Sequence, residues 1–211
     1  MQPSRFQSHP WHGIPPGDDC PEIVTAYIEI VPTDTVKYEV DKASGHLKID
    51  RPQKFSNVYP APYGFIPQTY CGAKIAAFAA KQAGNDCGKG DGDPLDICVL
   101  TEHHINQGGI LLRARPIGGL RMFDNGEADD KIIAVLLDDP AYGGFRDMPD
   151  VPTPLIDRLR HFFLTYKLPP DPQAALKRGV EIPQIYGRED AHAVIRLSLS
   201  DYQDRFASPS A

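Results

Sequence analysis

Nowhere in the 211-residue chain do about 18 apolar residues run together, so the sequence predicts no membrane-spanning helix. Cysteine is scarce: Cys20, Cys71, Cys87 and Cys98 form no Cys-x-x-Cys pair. The polar start Met1-Gln-Pro-Ser-Arg-Phe-Gln-Ser lacks the apolar stretch of a secretory signal. Together these predict a reducing, cytoplasmic setting. Positive charge is in deficit, with 22 Lys and Arg against 28 Asp and Glu and a formal net charge of -6. That balance argues against nucleic acid as a partner, because non-specific affinity for a phosphate backbone needs a basic surface. A small anionic substrate stays compatible where bound metals supply positive charge locally. Three common catalytic loops are missing: Gly-x-Ser-x-Gly, the P-loop and Gly-x-Gly-x-x-Gly. His103 and His104 are adjacent and would diverge on a strand, which favours a structural or surface role over metal ligation.

Hydrophobic residues make up 41% of the chain and no composition shift divides it, so residues 1–211 read as one domain. Residues 1–21, rich in Pro, Gly, Ser and His, predict an extended arm anchored by Trp11. Val24, Ala26, Ile28 and Ile30 share one parity, predicting a half-buried strand with Glu29 on its polar face. A second strand over Val36 to Val40 sets Lys37 and Glu39 side by side. The turn Asp41 to Gly45 leads to a third strand that ends at Pro52. On that strand Arg51 shares parity with Leu47 and Ile49, which predicts an inward guanidinium. Tyr59 to Pro67 carries too many prolines for a helix or a central strand and reads as a stiff loop. Cys71 to Gly90 reads as an insertion with a short helix near Ile75 to Lys81. Further strands are predicted at Leu95–Leu100, Ile110–Ile117 and Lys131–Leu137, the last apolar at both parities and so buried on both faces. Helices are predicted from Thr153, with Pro154 as the first helical residue, and over about Glu189 to Phe206; residues 207–211 form a loose tail. Short strands followed by helices give an α+β class, a small barrel with helices outside it.

The chemistry concentrates in two acidic stretches. Lys89-Gly-Asp-Gly-Asp-Pro-Leu-Asp96 places Asp91, Asp93 and Asp96 at the mouth of an apolar run. Two carboxylates about 5 Å apart repel by roughly 3 kcal/mol at an effective dielectric of about 20, so a bound cation is the least costly way to keep them charged. All-oxygen ligands favour Mg²⁺, Mn²⁺ or Ca²⁺ over Zn²⁺. Asp124-Asn-Gly-Glu-Ala-Asp-Asp-Lys131 repeats the layout before a second buried strand. Two such turns in one sheet can converge on a site with several metal ions. Metals of that kind bridge phosphoryl oxygens and lower the pKa of a bound water from 15.7 toward about 7. Lys37, Arg51, Lys131, Lys167, Tyr63 and Tyr166 are the right types to bind the phosphate groups without competing as ligands. An EF-hand reading fails because Leu95 and Asp96 occupy its fifth and sixth positions. A haloacid-dehalogenase reading fails because no apolar strand precedes Asp91.

Asp91-Gly-Asp-Pro-Leu-Asp96 resembles the signature of the family I soluble inorganic pyrophosphatases. Further pieces agree in order and spacing: Ile28-Glu-Ile30, Lys37-Tyr-Glu-Val-Asp-Lys42, Ser44-Gly45 through Asp50-Arg51, Tyr59-Pro60 with Tyr63-Gly-Phe-Ile-Pro67, the Asp124 to Lys131 turn, and His161-Phe-Phe163 with Tyr166-Lys167. The resemblance implies a five-stranded OB-like barrel flanked by helices, and Mg²⁺-dependent hydrolysis of pyrophosphate to two phosphates. By the same resemblance Asp91, Asp96 and Asp129 hold the tightest ion. Asp96 bridges to a second ion, and Asp124 with Asp129 holds one arriving with substrate. Asp93 is then the general base, and Glu29 and Glu39 support outer metals or their waters. Lys37, Arg51, Lys131, Tyr166 and Lys167 grip phosphate, with Tyr63 near the nucleophilic water. Mn²⁺ is an expected substitute ion, and a homo-oligomer is expected, a hexamer before a dimer. Pro62 stands where many members have Asn, and the 71–90 stretch is longer than in compact bacterial members.

Overall fold

The computed structural model describes residues 8–84, 87–168 and 179–206. The tail at 207–211 and the first seven residues of the arm lie outside the described residues. In chain order the elements are β1 (Val24–Ile30), β2 (Val36–Val40), β3 (Leu47–Pro52), β4 (Tyr63–Phe65), α1 (Ala73–Ala83), β5 (Lys89–Gly90) and β6 (Asp96–Leu100). They continue with β7 (Ile110–Asp124), β8 (Glu127–Ala128), β9 (Lys131–Leu136), a 3₁₀ turn (Met148–Asp150), α2 (Thr153–Thr165), β10 (Val180–Gly187) and α3 (Arg188–Phe206).

Strands β1, β4, β6, β9 and β7 are hydrogen-bonded in that order, and β7 pairs back onto β1. Five strands thus close into a ring, the barrel architecture expected. β10 and β8 extend from β7, while β2 and β3 form a separate ribbon. The pleat sends alternate residues of β6 and β9 to opposite sides, where they feed two different cores. Ile97, Val99, Ile132 and Ala134 pack with α1 and α3. Cys98, Leu100, Ile133 and Val135 pack with α2 and β10. Burial of β9 on both faces is as its double-parity apolar run predicted.

Several expectations fail for identifiable reasons. β1 is not half-buried: Glu29 is 7% exposed, because the β2–β3 ribbon covers its second face. The parity reading of Arg51 fails at a bulge, since Lys37 pairs with Arg51 but Tyr38 pairs with Ile49, leaving Asp50 as an extra residue. Ile49, expected to point inward, is 61% exposed. Within Tyr59–Pro67 a central strand does form. Its three residues Tyr63–Phe65 lie between the prolines and keep their N–H groups, and Gly64 lies so close to Tyr27 that a Cβ there would meet the carbonyl oxygen at 1.9 Å. β7 runs beyond the predicted end at Ile117 because a register shift absorbs Pro116. β10 was not predicted at all; a shift between Glu181 and Gln184 accommodates Pro183. In α2 the N-cap is Pro152, one residue earlier than expected, with no side-chain cap.

Helix α1 confirms and extends the short helix expected in the 71–90 stretch. No side chain of its own caps it. Instead the Asp201 carboxylate on α3 accepts from the backbone N–H groups of Gly72, Lys74 and Ile75, each at 3.1 Å to Oδ2. Asp201→Ala leaves the Lys74 donor and the buried Ile75 donor without this acceptor and is expected to cost about 1–3 kcal/mol. Urea unfolding measures it, and a loss below about 0.5 kcal/mol contradicts the capping role.

Candidate active site

The two acidic stretches meet at one mouth of the barrel. The first is tied by Asp93 N–H to Asp91 Oδ1 at 3.0 Å and by Cys71 N–H to the Asp93 carbonyl at 2.8 Å. Gly92 turns the loop with φ +78°. Asp96 then opens β6, and Lys131, its partner in the parallel β6–β9 ladder, opens β9. The second stretch is a tight hairpin with Asn125 and Gly126 at φ 52° and 84°, the positive values a two-residue turn between twisted strands requires.

Between these loops and the β2–β3 ribbon lies a cavity of about 350 Å³. Asp91, Asp93, Asp96, Asp124, Asp129, Glu29, Glu39, Lys37, Lys131, Lys167, Tyr63 and Tyr166 all line it. Arg51 does not; it stands opposite Lys37 on the ribbon with its guanidinium 2.5 Å from Asp50. Glu127 of the second acidic stretch lines it too, as do Lys42, Asn125, Tyr59 and Trp11, which the sequence does not mark as site residues. Lys42 and Glu127 lay within motifs already noted. Trp11 anchors the arm as expected, with its indole N–H donating to the Thr69 carbonyl at 2.8 Å, 58 positions away, but its place in this cavity had no local signal.

Ammonium groups hold the carboxylates. Lys131 bonds both Asp96 and Asp129, Lys42 bonds Asp93, and Lys167 bonds Asp124. Lys37 lies 2.9 Å from Glu39 and 3.2 Å from Asp50. The Tyr63 hydroxyl donates to Asp96 at 2.5 Å. Burial, with Asp129 adding to it, pushes the Asp91 carboxyl up to about 9. Burial likewise raises Asp129. Glu29 is lifted by burial to about 8, against the pull of the Val40 N–H that it accepts at 2.7 Å. For Lys131 burial alone acts downward, but Asp129 and Asp96 outweigh it and hold the ammonium well above its ordinary value.

Among the described residues no three acidic, His or Cys side chains are gathered round one cation position in this arrangement. The donor set nevertheless fits a divalent cation. Asp96 and Asp129 share the one buried ammonium of Lys131 and, among the described residues, Asp91 has no ion-pair partner, so the full set of charges is not balanced by protein groups. The available donors are hard oxygens, with no thiolate or imidazole among the cavity-lining residues.

A closed five-stranded barrel carries acids, ammonium groups and phenols at one mouth, the donor types that cation-assisted hydrolysis of phosphoryl groups uses. A family model described as inorganic pyrophosphatase matches residues 26–203. An inorganic pyrophosphatase of Chlamydia muridarum is 53% identical over 199 residues, covering 94% of this chain and 95% of the relative. Soluble inorganic pyrophosphatase 2 of Chlamydomonas reinhardtii is 39% identical over 199 residues, covering 94% and 91%. The crystal structure of inorganic pyrophosphatase from Thermus thermophilus superposes with a TM-score of 0.75 at 30% identity, covering 93% of this chain and 99% of that one. The chain belongs to the inorganic pyrophosphatase family.

Proposed function

We propose that this cavity hydrolyses inorganic pyrophosphate to two orthophosphates with Mg²⁺ as its working ion and Mn²⁺ as a substitute. The observation that carries the reading is the convergence of Asp91–Asp96 and Asp124–Asp129 on one cavity that ammonium groups also line. Asp91, Asp96 and Asp129 would hold the tightest ion, Asp96 a second, and Asp124 with Asp129 one that arrives with substrate; Glu29 and Glu39 would hold outer ions or their waters. When bound, the ions offset the charge on the phosphoryl oxygens and acidify the attacking water. Asp93 takes the proton from that water. It suits the task because its side chain stays 44% exposed and lies within the reach of Lys42, which orients it. Tyr63 fixes Asp96 and offers its hydroxyl beside the water. Lys37, Lys131 and Lys167 release their carboxylate partners to grip phosphate oxygens together with Tyr166, with Arg51 reaching in from the ribbon.

A phosphate-release assay tests this reading. Pyrophosphate with Mg²⁺ is expected to yield phosphate rapidly, excess EDTA to abolish release, and a nitrophenyl phosphate ester to be turned over far more slowly. Equal rates on the ester and on pyrophosphate reject it in favour of a general phosphatase.

We also place the chain in the cytoplasm, a reading supported by four unpaired cysteines. No described helix is long and apolar enough to cross a membrane. A homo-oligomer, hexameric before dimeric, is the assembly we expect, and sedimentation of the purified chain tests it.

A further inference from the structure

Behind the acidic site, on the opposite face of the sheet, lies a charge pair that the mechanism leaves unused. Arg121 on β7 and Asp130 just before β9 form a 2.6 Å ion pair with both side chains at 0% exposure. The β7–β8 ladder pairs Phe123 with Ala128, and the β7–β9 ladder pairs Leu120 with Lys131. Both follow one register, so Arg121 stands opposite Asp130 across the two-residue gap where neither ladder is regular. Cross-strand partners share a face and their neighbours point the other way, which aims Asp129 and Lys131 into the cavity while Asp130 faces its reverse. In that gap the backbone is stitched by a single bond, from Asp129 N–H to the Met122 carbonyl at 2.9 Å.

The pair is enclosed by aromatic groups. The guanidinium lies 5.0 Å from the ring centroid of Phe78 on α1 and 4.6 Å from that of Tyr186 on β10. The Tyr186 hydroxyl donates to Asp130 at 3.0 Å. Among the described residues Arg121 Nε and Nη2 and Asp130 Oδ1 have no hydrogen-bond partner, so the two π faces and the single ion pair hold the guanidinium. Phe78 belongs to the 71–90 stretch that lengthens this chain.

We propose that Arg121, Asp130, Phe78 and Tyr186 form a positioning device that holds the Asp129–Lys131 segment in ligand geometry, with helix α1 as its strut. The proposal rests on Asp129 being a metal ligand. Loss of the pair lets the gap flex, and the cost falls on cation affinity before it falls on the chemical step.

The test replaces the pair by apolar groups, which buried ion pairs tolerate when both partners are exchanged together. Arg121→Met with Asp130→Leu is compared in the full chain with Asp129→Asn and with Val194→Ala, a buried substitution in α3. Mg²⁺ binding to metal-free protein by calorimetry is read alongside thermal midpoint and Mg²⁺-dependent activity. The pair variant is expected to bind Mg²⁺ at least tenfold more weakly, and to recover turnover to within about threefold of the parent at saturating Mg²⁺. Val194→Ala, with an equal or larger fall in midpoint, is expected to keep its Mg²⁺ affinity. Should the pair variant fail to fold, Phe78→Leu carries the test, with at least a threefold loss of affinity expected. Unchanged Mg²⁺ affinity in the variant that folds overturns the proposal, as does an equal loss in Val194→Ala. If Asp129→Asn itself leaves Mg²⁺ binding intact, the ligand assignment falls and the proposal with it. Weakening in Asp129→Asn alone leaves the functional reading standing and the proposal overturned.

Discussion

Asp93→Asn is expected to lower turnover of pyrophosphate by about 10²- to 10⁴-fold, the range a positioned general base contributes, while changing Mg²⁺ affinity by no more than about threefold. The asymmetry follows from where the carboxylates sit. Asp129 is buried within the ammonium network of Lys131, and Asp96 is bonded to the same ammonium and to Tyr63. Asp93 projects from the loop with 44% of its side chain exposed, and among the described residues its side chain is paired with Lys42 alone. Asn keeps the shape and the loop hydrogen bonds, which use the Asp93 backbone: its N–H donates to Asp91 and its carbonyl accepts from Cys71. What Asn cannot do is accept a proton from water. Steady-state phosphate release and calorimetric Mg²⁺ binding on the same preparation decide the matter. Activity within tenfold of the parent removes Asp93 from the role of base, and a collapse of Mg²⁺ binding makes it a ligand instead.

The second large effect is in the pH dependence of stability without metal. Asp91 and Glu29 are pushed by burial up to about 9 and about 8. In the unfolded chain both titrate near 4. A carboxyl raised in the folded state holds a proton that the unfolded chain has released, so its stabilising contribution is complete below pH 4 and is lost as pH climbs through 8 to 9. Between the unfolded value near 4 and the folded values of about 8 and 9, each group is expected to remove on the order of 1 kcal/mol per pH unit from the metal-free protein. Divalent cations reverse the trend, because they bind the deprotonated carboxylates and expel those protons. Thermal midpoints in EDTA are therefore expected to fall between pH 6 and pH 9, and the gain on adding Mg²⁺ to grow over the same range. Mg²⁺ binding at pH 7 should also release protons, measurable as a buffer-dependent heat. A metal-free midpoint that rises with pH, or a Mg²⁺ gain that shrinks, contradicts the burial of these two carboxyls in protonated form.

Both predictions depend on features that differ in how visible they are along the chain. The clustering of Asp91, Asp93 and Asp96 is a local fact, and so is the tight turn from Asp124 to Glu127, whose Asn-Gly pair tolerates positive φ. Either could be read without knowing where the other lies. The apolar run of β9 likewise declares a doubly buried strand, because both parities are apolar. The helix expected over about Glu189 to Phe206 matches α3 to within a residue, and α2 begins at the Thr153 expected as its cap. Local periodicity misled at Arg51, where one bulge residue, Asp50, reverses the parity of everything after it. Alternation also suggested a solvated face for β1, since nothing near Glu29 in sequence reveals the ribbon that covers it. Prolines concealed β4 and β10. In β4 the prolines flank the paired residues, and in β10 a shift of register absorbs Pro183.

Which residue types do the chemistry, and in what order, is legible along the chain: acids that need a cation, lysines and tyrosines suited to phosphate, and alternating strands able to carry them. Side-chain chemistry and two- or four-residue spacing are local properties, so they survive without coordinates. It takes the folded chain to bring the two acidic turns into one cavity, to leave Arg51 outside its lining with Lys42 and Trp11 inside it, and to set Arg121 and Asp130 behind the site on the reverse face. Those outcomes depend on strand register and on contacts tens of residues apart, set by how the barrel closes and by the burial that closure imposes.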